Sequence, residues 1–173
     1  MVNVQELQHK QVPEIIRLLG VRTKGYSSCD IKEMGRALEV SVISYNLSTV
    51  LQLGEKILCA FVTNGAGRKC IFYNVELETN EARVVIVRAF ARYIMTGDKN
   101  FCITESTTFS KRENSFVYEF LMPEDEVHDV LDKLILPTTF SLANIFDVTQ
   151  EFVKERLDAM RERLKRLIGN YDF

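Results

Sequence analysis

The stretch VVIVRAFARYIMTG, residues 84–97, is apolar at most positions yet carries two arginines, Arg88 and Arg92, four residues apart. It reads as the later part of a long helix running from Thr79, a suitable N-cap, to about Thr96, with Gly97 suiting its C-terminal side. A spacing of four places both guanidinium groups on one helix face, where like charges repel. Arginine is almost never fully buried without a partner. Either carboxylates stand opposite the pair, or this face looks into a cleft, or the spacing is inherited from a site that held other residues.

Outward from that helix the pattern is mixed. On its N-terminal side, EVSVISY (39–45), KILCAFVT (56–63) and KCIFYN (69–74) carry β-branched residues at strand spacing. NGAGR, residues 64–68, joins the last two as a turn, and its Asn64-Gly65 dipeptide is a hairpin signal. A phosphate-binding loop would have to open a helix, which this one does not. Residues 5–19 read as one helix whose regular part starts at Pro13, with Gly20 after its end. Ser28 or Asp30 can cap a second helix, DIKEMGRAL. Beyond residue 97, DKNFCITESTTFS (98–110) reads as a loop with some extended character. Helices follow over RENSFVYEFLMP, ending near Pro123, and at about 124–135, 139–146 and 149–168. The expected class is α+β: a small mixed or antiparallel sheet of about three strands and a helical C-terminal half. No repeat or linker divides residues 1–173, so one domain is expected, closed by an amphipathic helix and tail over 149–173.

Composition narrows the function. The chain has 173 residues, a net charge of -2 and a pI near 5.8. An acidic balance argues against a dedicated nucleic-acid binder. No apolar run reaches the ~18 residues of a membrane span, and MVNVQELQHK lacks a signal-peptide pattern. A cytoplasmic protein is expected. Cys29, Cys59, Cys70 and Cys102 form no C-x-x-C pair and are expected to be reduced and mostly buried. The two histidines, His9 and His128, are far apart, and nothing connects either to a cysteine as a general base.

Several segments together resemble the ImmA/IrrE-like zinc metallopeptidases, whose fold is zincin-like. That family's pattern is a strand ending in Asn, a short acidic link, and a helix bearing His-Glu-x-x-His followed by an aromatic residue. A later helix of the form Glu-x-x-Ala-Asn-x-Phe-Ala runs into Leu-Met-Pro. Here the strand is CIFYN, ending at Asn74, and the link is VELETNEAR. The helix is IVRAFARYIM, with Tyr93 at the aromatic position. The later helix is ENSFVYEFLMP, matching at Asn114, Phe116 and Leu121-Met122-Pro123. LANIFDVTQEFVKERL is similar to the family's closing segment. The resemblance covers roughly residues 30 to 160. It implies a protein that cleaves or otherwise antagonises repressors, often those of phages and mobile elements.

The residues that carry the family's chemistry differ. Arg88 stands at the first histidine position, Ala89 at the glutamate, Arg92 at the second histidine, and Ser110 at the third ligand's glutamate. The reaction needs two neutral imidazoles one turn apart, a third ligand, and a carboxylate to take a proton from bound water. A guanidinium stays protonated and cannot ligate zinc. The resemblance therefore implies a peptidase-like fold without the peptidase reaction: no metal or cofactor, and a protein partner such as a repressor or other transcriptional regulator. The arginines are expected either to pair with carboxylates such as Glu113, Glu119 or Glu105, filling the old cavity, or to face an open groove that takes an acidic partner segment. A small bound anion is the third option.

Two other readings stay open. An active zinc peptidase with relocated ligands would have to bring His9 and His128 together. A DNA-binding regulator would use SLANIFDVTQEFVKERL (141–157), which has helix-turn-helix rhythm. There Asp147 replaces the usual turn glycine, and Glu151 opens the second helix, where phosphate contacts call for cations. Val153, Leu157, Met160, Leu164 and Leu167 make a short heptad seam on the last helix, suited to core packing or to a dimer or partner seam. A monomer or homodimer is expected. Arg161, Arg163, Lys165 and Arg166 near its end suit the helix dipole or a solvated face. PEDEVHD places acids at a helix start for the same reason, and His128 there is expected to be exposed.

Overall fold

The computed structural model describes residues 2–20, 31–47, 51–52, 54–97 and 99–169. The proposed caps Ser28 and Asp30, together with Cys29, lie outside the described residues. In place of one helix over 5–19 there are two, α1 (Val4–Leu7) and α2 (Val12–Leu19). Asn3 caps α1 by accepting from the Gln5 amide at 3.0 Å. Pro13 belongs in the first turn of a helix, where no hydrogen bond is lost, so a fresh helix starts around it. Gly20 ends α2 in the left-handed region at φ 62°. Next comes α3 (Ile31–Leu38), which returns into the sheet through Glu39 at φ 56°. A Cβ at Gly35 would stand 2.7 Å from the Val40 carbonyl oxygen, so glycine lets α3 lie directly against the first strand.

The sheet is mixed. β1 (Val40–Tyr45) runs parallel to β4 (Lys69–Asn74), and β3 (Glu55–Thr63) is antiparallel to β4. β2 (Leu51–Gln52) and β5 (Phe101–Thr104) also pair antiparallel with β3. About three strands were expected; there are four, and five with the two-residue β2. The 98–110 stretch, read as a loop, supplies β5. The β3–β4 hairpin forms as expected, but Gly67 at φ 75° is its left-handed residue. The Asn64 carbonyl accepts from the Gly67 amide, and the Asn64 side chain accepts from the Ala66 and Arg68 amides.

Over this sheet lies α4 (Thr79–Thr96), starting after Glu78 rather than using Thr79 as its cap. Most of its residues are buried, as befits a helix covered on several sides. Tyr93 stacks on Phe61 of β3 at 4.6 Å between ring centroids. α4 also packs against α5 (Lys111–Leu121). Then come α6 (Glu124–Lys133), α7 (Thr139–Phe146) and α8 (Gln150–Gly169), the helical C-terminal half. Buried Arg156 of α8 donates to the Met122 carbonyl at 3.0 Å and to Glu119 at 2.8 Å, fastening α8 to the end of α5. The class is α+β, as the sequence indicates. Among the described residues no helix is long and apolar enough to cross a membrane.

Candidate functional site

Arg88 and Arg92 project from one face of α4, then part. Arg92 reaches the start of α5, where Nε donates to Glu113 Oε1 at 2.8 Å and Nη2 to the Thr108 carbonyl at 2.6 Å. Arg88 reaches across to α8, where Nη2 donates to Glu155 Oε2 at 2.7 Å. Both guanidinium carbons stack near the Phe109 ring, at 5.2 Å for Arg88 and 4.6 Å for Arg92. A separate carboxylate for each cation and a shared aromatic ring offset the repulsion that the spacing implies.

Glu113 is held from two sides. It is 5% exposed, and its Oε2 accepts the Ser110 amide at 2.6 Å, while its own amide donates to Ser110 Oγ at 3.2 Å. This is a capping box, the Ser-x-x-Glu device that satisfies free amides at a helix start. Burial pushes the Glu113 carboxyl upward, but the bonds from Arg92 and Ser110 outweigh it and hold the group below its ordinary value. Ser110, which the resemblance aligns with the third ligand, is thus spent on the cap. Ala89 is fully buried in the core and offers no proton acceptor.

The remaining candidates lie elsewhere. Glu119 turns to Arg156 instead of the arginine pair. Glu105 is exposed in the turn after β5. Phe109 and Glu155, which complete the constellation, were not singled out from the sequence. The serine-to-glutamate spacing of the capping box was readable, whereas an α4–α8 contact across 67 residues has no local signal.

Zinc does not fit this donor set. The positions that the resemblance aligns with the family's two histidines hold cations already paired with carboxylates, and those it aligns with the glutamates hold a methyl group and a capping hydroxyl. His9, in the α1–α2 turn, and His128, on α6, are both exposed. Among the described residues no three or more His, Cys, Asp or Glu side chains are grouped to hold a metal.

Beside Arg88 a groove of about 460 Å³ runs between α4, α7 and the start of α8. Its ionisable lining is Glu78, Glu81, Glu151 and Glu155 against Arg88 alone. That balance opposes an acidic segment or a small anion. The α7–α8 turn forms one end of this region. Asp147 takes the left-handed conformation there, φ 53°, in the place where a turn glycine was missed. Arg83 of α4, 8% exposed, donates to the Phe146 and Asp147 carbonyls and to Asp147 Oδ2 at 2.9 Å. The helix pair read as a helix-turn-helix is thereby locked onto α4, with Glu151 facing the groove.

No curated protein matches the chain. The family model for the IrrE N-terminal-like domain, a peptidase family, matches residues 44–158, which include β3, β4, the arginine pair, the capping box and Glu155. By that match over most of its length, and with an α+β architecture consistent with a zincin-like fold, the chain belongs to the IrrE N-terminal-like, metallopeptidase-like family.

Proposed function

We propose that this chain is a non-catalytic member of its family that acts by holding a protein partner, a helix-turn-helix repressor or related transcriptional regulator of a phage or other mobile element, in the cytoplasm. One observation carries the reading. Arg88 and Arg92, which the resemblance aligns with the two histidines of the family's helix, are each closed by their own carboxylate, and Ala89, aligned with the general base, is buried. A guanidinium–carboxylate network is a rigid surface, and its cations cannot ligate a metal that would activate water. The mechanism is occupancy: the face around α4, α5 and α8 holds the regulator and alters its grip on DNA without cutting it. The partner class comes from the family resemblance.

The test is capture of the regulator by the tagged full chain from its native cytoplasm, read by intact-mass spectrometry. A full-length regulator in near-equal amount, lost with Arg88→Ala plus Arg92→Ala, supports the reading. A regulator recovered as fragments, with chelator-sensitive production of those fragments, overturns it.

A further inference from the structure

We propose that the groove beside Arg88 is occupied by the C-terminal half of α8 from a second copy of this chain. The two surfaces are complementary in charge and in apolar content. Glu78, Glu81 and Glu151 line the groove and make no ion pair among the described residues, while Glu155 shares Arg88. Phe140, largely exposed at the start of α7, adds an apolar wall together with Val84, Val85 and Ala143. Opposite in sign is residues 161–167 of α8, which carry Arg161, Arg163, Lys165 and Arg166 against Glu162 alone.

Those seven residues are all exposed. Leu164 and Leu167 are 57% and 54% exposed, although they continue the seam that Val153, Leu157 and Met160 begin against the body of the protein. Within one chain the seam therefore runs off the core with its last two leucines uncovered. Three of the four cations have intrachain partners, but Asp158 and Glu162 are exposed i,i+3 neighbours, and Arg163 meets Glu124 from a well-exposed position. Such surface pairs contribute little and re-form readily with other carboxylates. Arg166 makes no ion pair among the described residues.

A partner's α8 brings what the groove lacks: cations for three carboxylates that make no ion pair among the described residues, and two leucines for an apolar wall. The contact is reciprocal, because each chain carries both the groove and the helix end, and two copies related by a two-fold axis satisfy both at once. This inference does not depend on the partner proposed above.

Sedimentation of the full chain tests it with a charge swap. One variant, Lys165→Glu plus Arg166→Glu, reverses the helix end. The other, Glu81→Arg plus Glu151→Arg, reverses the groove. Wild type should dimerise with rising concentration, and more weakly from ~0.05 to ~0.5 M salt. Each variant alone should lose about tenfold or more in self-affinity, while thermal melts confirm that both remain folded. Mixing the two should restore a heterodimer, since acidic helix ends then meet basic grooves and basic helix ends meet acidic grooves. Wild type that stays monomeric to ~1 mM, a dimer that survives either reversal, or a mixture that fails to associate overturns the proposal.

Discussion

Replacing Arg92 by methionine removes the cation from the most enclosed part of the site and leaves Glu113 in place. The gross attraction between unit charges ~4 Å apart, at an effective dielectric of about 20, is roughly 4 kcal/mol. Desolvation of both groups takes back several kcal/mol, so the intact pair has a small net effect on stability. Breaking it is different, because a carboxylate only 5% exposed is then left with its Ser110 contact and no countercharge. A fully buried pair loses about 3–5 kcal/mol this way. Arg92 is 19% exposed and the Ser110 amide remains, so Arg92→Met should cost about 2–3 kcal/mol at pH 7. In a chain of this size that is about 5–10 °C in Tm. Adding Glu113→Gln removes the stranded charge and keeps a side chain able to complete the cap, so the double variant should return to within about 1 kcal/mol of wild type. The pH dependence has a definite sign. Glu113 ionises below its ordinary value of 4.5 in the folded wild type, so its contribution is present above that value and fades as pH falls through the depressed one. The deficit of Arg92→Met should therefore shrink on acidification below about pH 4.5. Urea unfolding followed by circular dichroism measures all of this. A single-variant loss under about 0.5 kcal/mol, or a double variant worse than the single, would show that the pair does not hold this corner together.

Three further perturbations probe the frame around the site. Arg83→Met strips three hydrogen bonds from the α7–α8 turn and should cost about 2–4 kcal/mol, with faster amide hydrogen exchange concentrated at residues 147–149. Gly35→Ala places a methyl 2.7 Å from the Val40 carbonyl and should lower stability by about 1–3 kcal/mol in a denaturant titration, despite alanine's better helix propensity. Burial, and to a lesser degree Cys102, pushes the Cys59 thiol far above its ordinary value. Peptide mapping after alkylation at pH 8 should therefore find Cys59 unmodified in the folded protein and modified after unfolding.

The strongly patterned parts of this chain are legible in the sequence alone. The strands at Val40–Tyr45, Glu55–Thr63 and Lys69–Asn74, the helix bearing the arginines, and α7 and α8 all follow from periodicity and turn chemistry. β5 escaped because four residues, FCIT, are too short to show alternation inside a polar stretch. The break between α1 and α2 escaped because residues 8–11, QHKQ, are polar residues that the exposed face of a single helix also accepts, with no glycine and no capping side chain to mark the turn. At the site, the arginine spacing and the Ser110–Glu113 box are local and readable. The Arg88–Glu155 pair, the Phe109 platform and the Arg83–Asp147 clamp depend on how α8 and the β5–α5 loop pack against α4. Tertiary contacts of that kind have no period in one sequence.

At the positions that the resemblance aligns with the family's metal ligands, the chain carries a guanidinium–carboxylate network. The most direct measurement is metal content: the full chain is incubated with zinc, dialysed, and analysed for bound metal alongside Arg88→His plus Arg92→His. The wild-type protein should hold no stoichiometric zinc. One tightly held zinc per wild-type chain, removed by a chelator together with cleavage of a captured regulator, would contradict it.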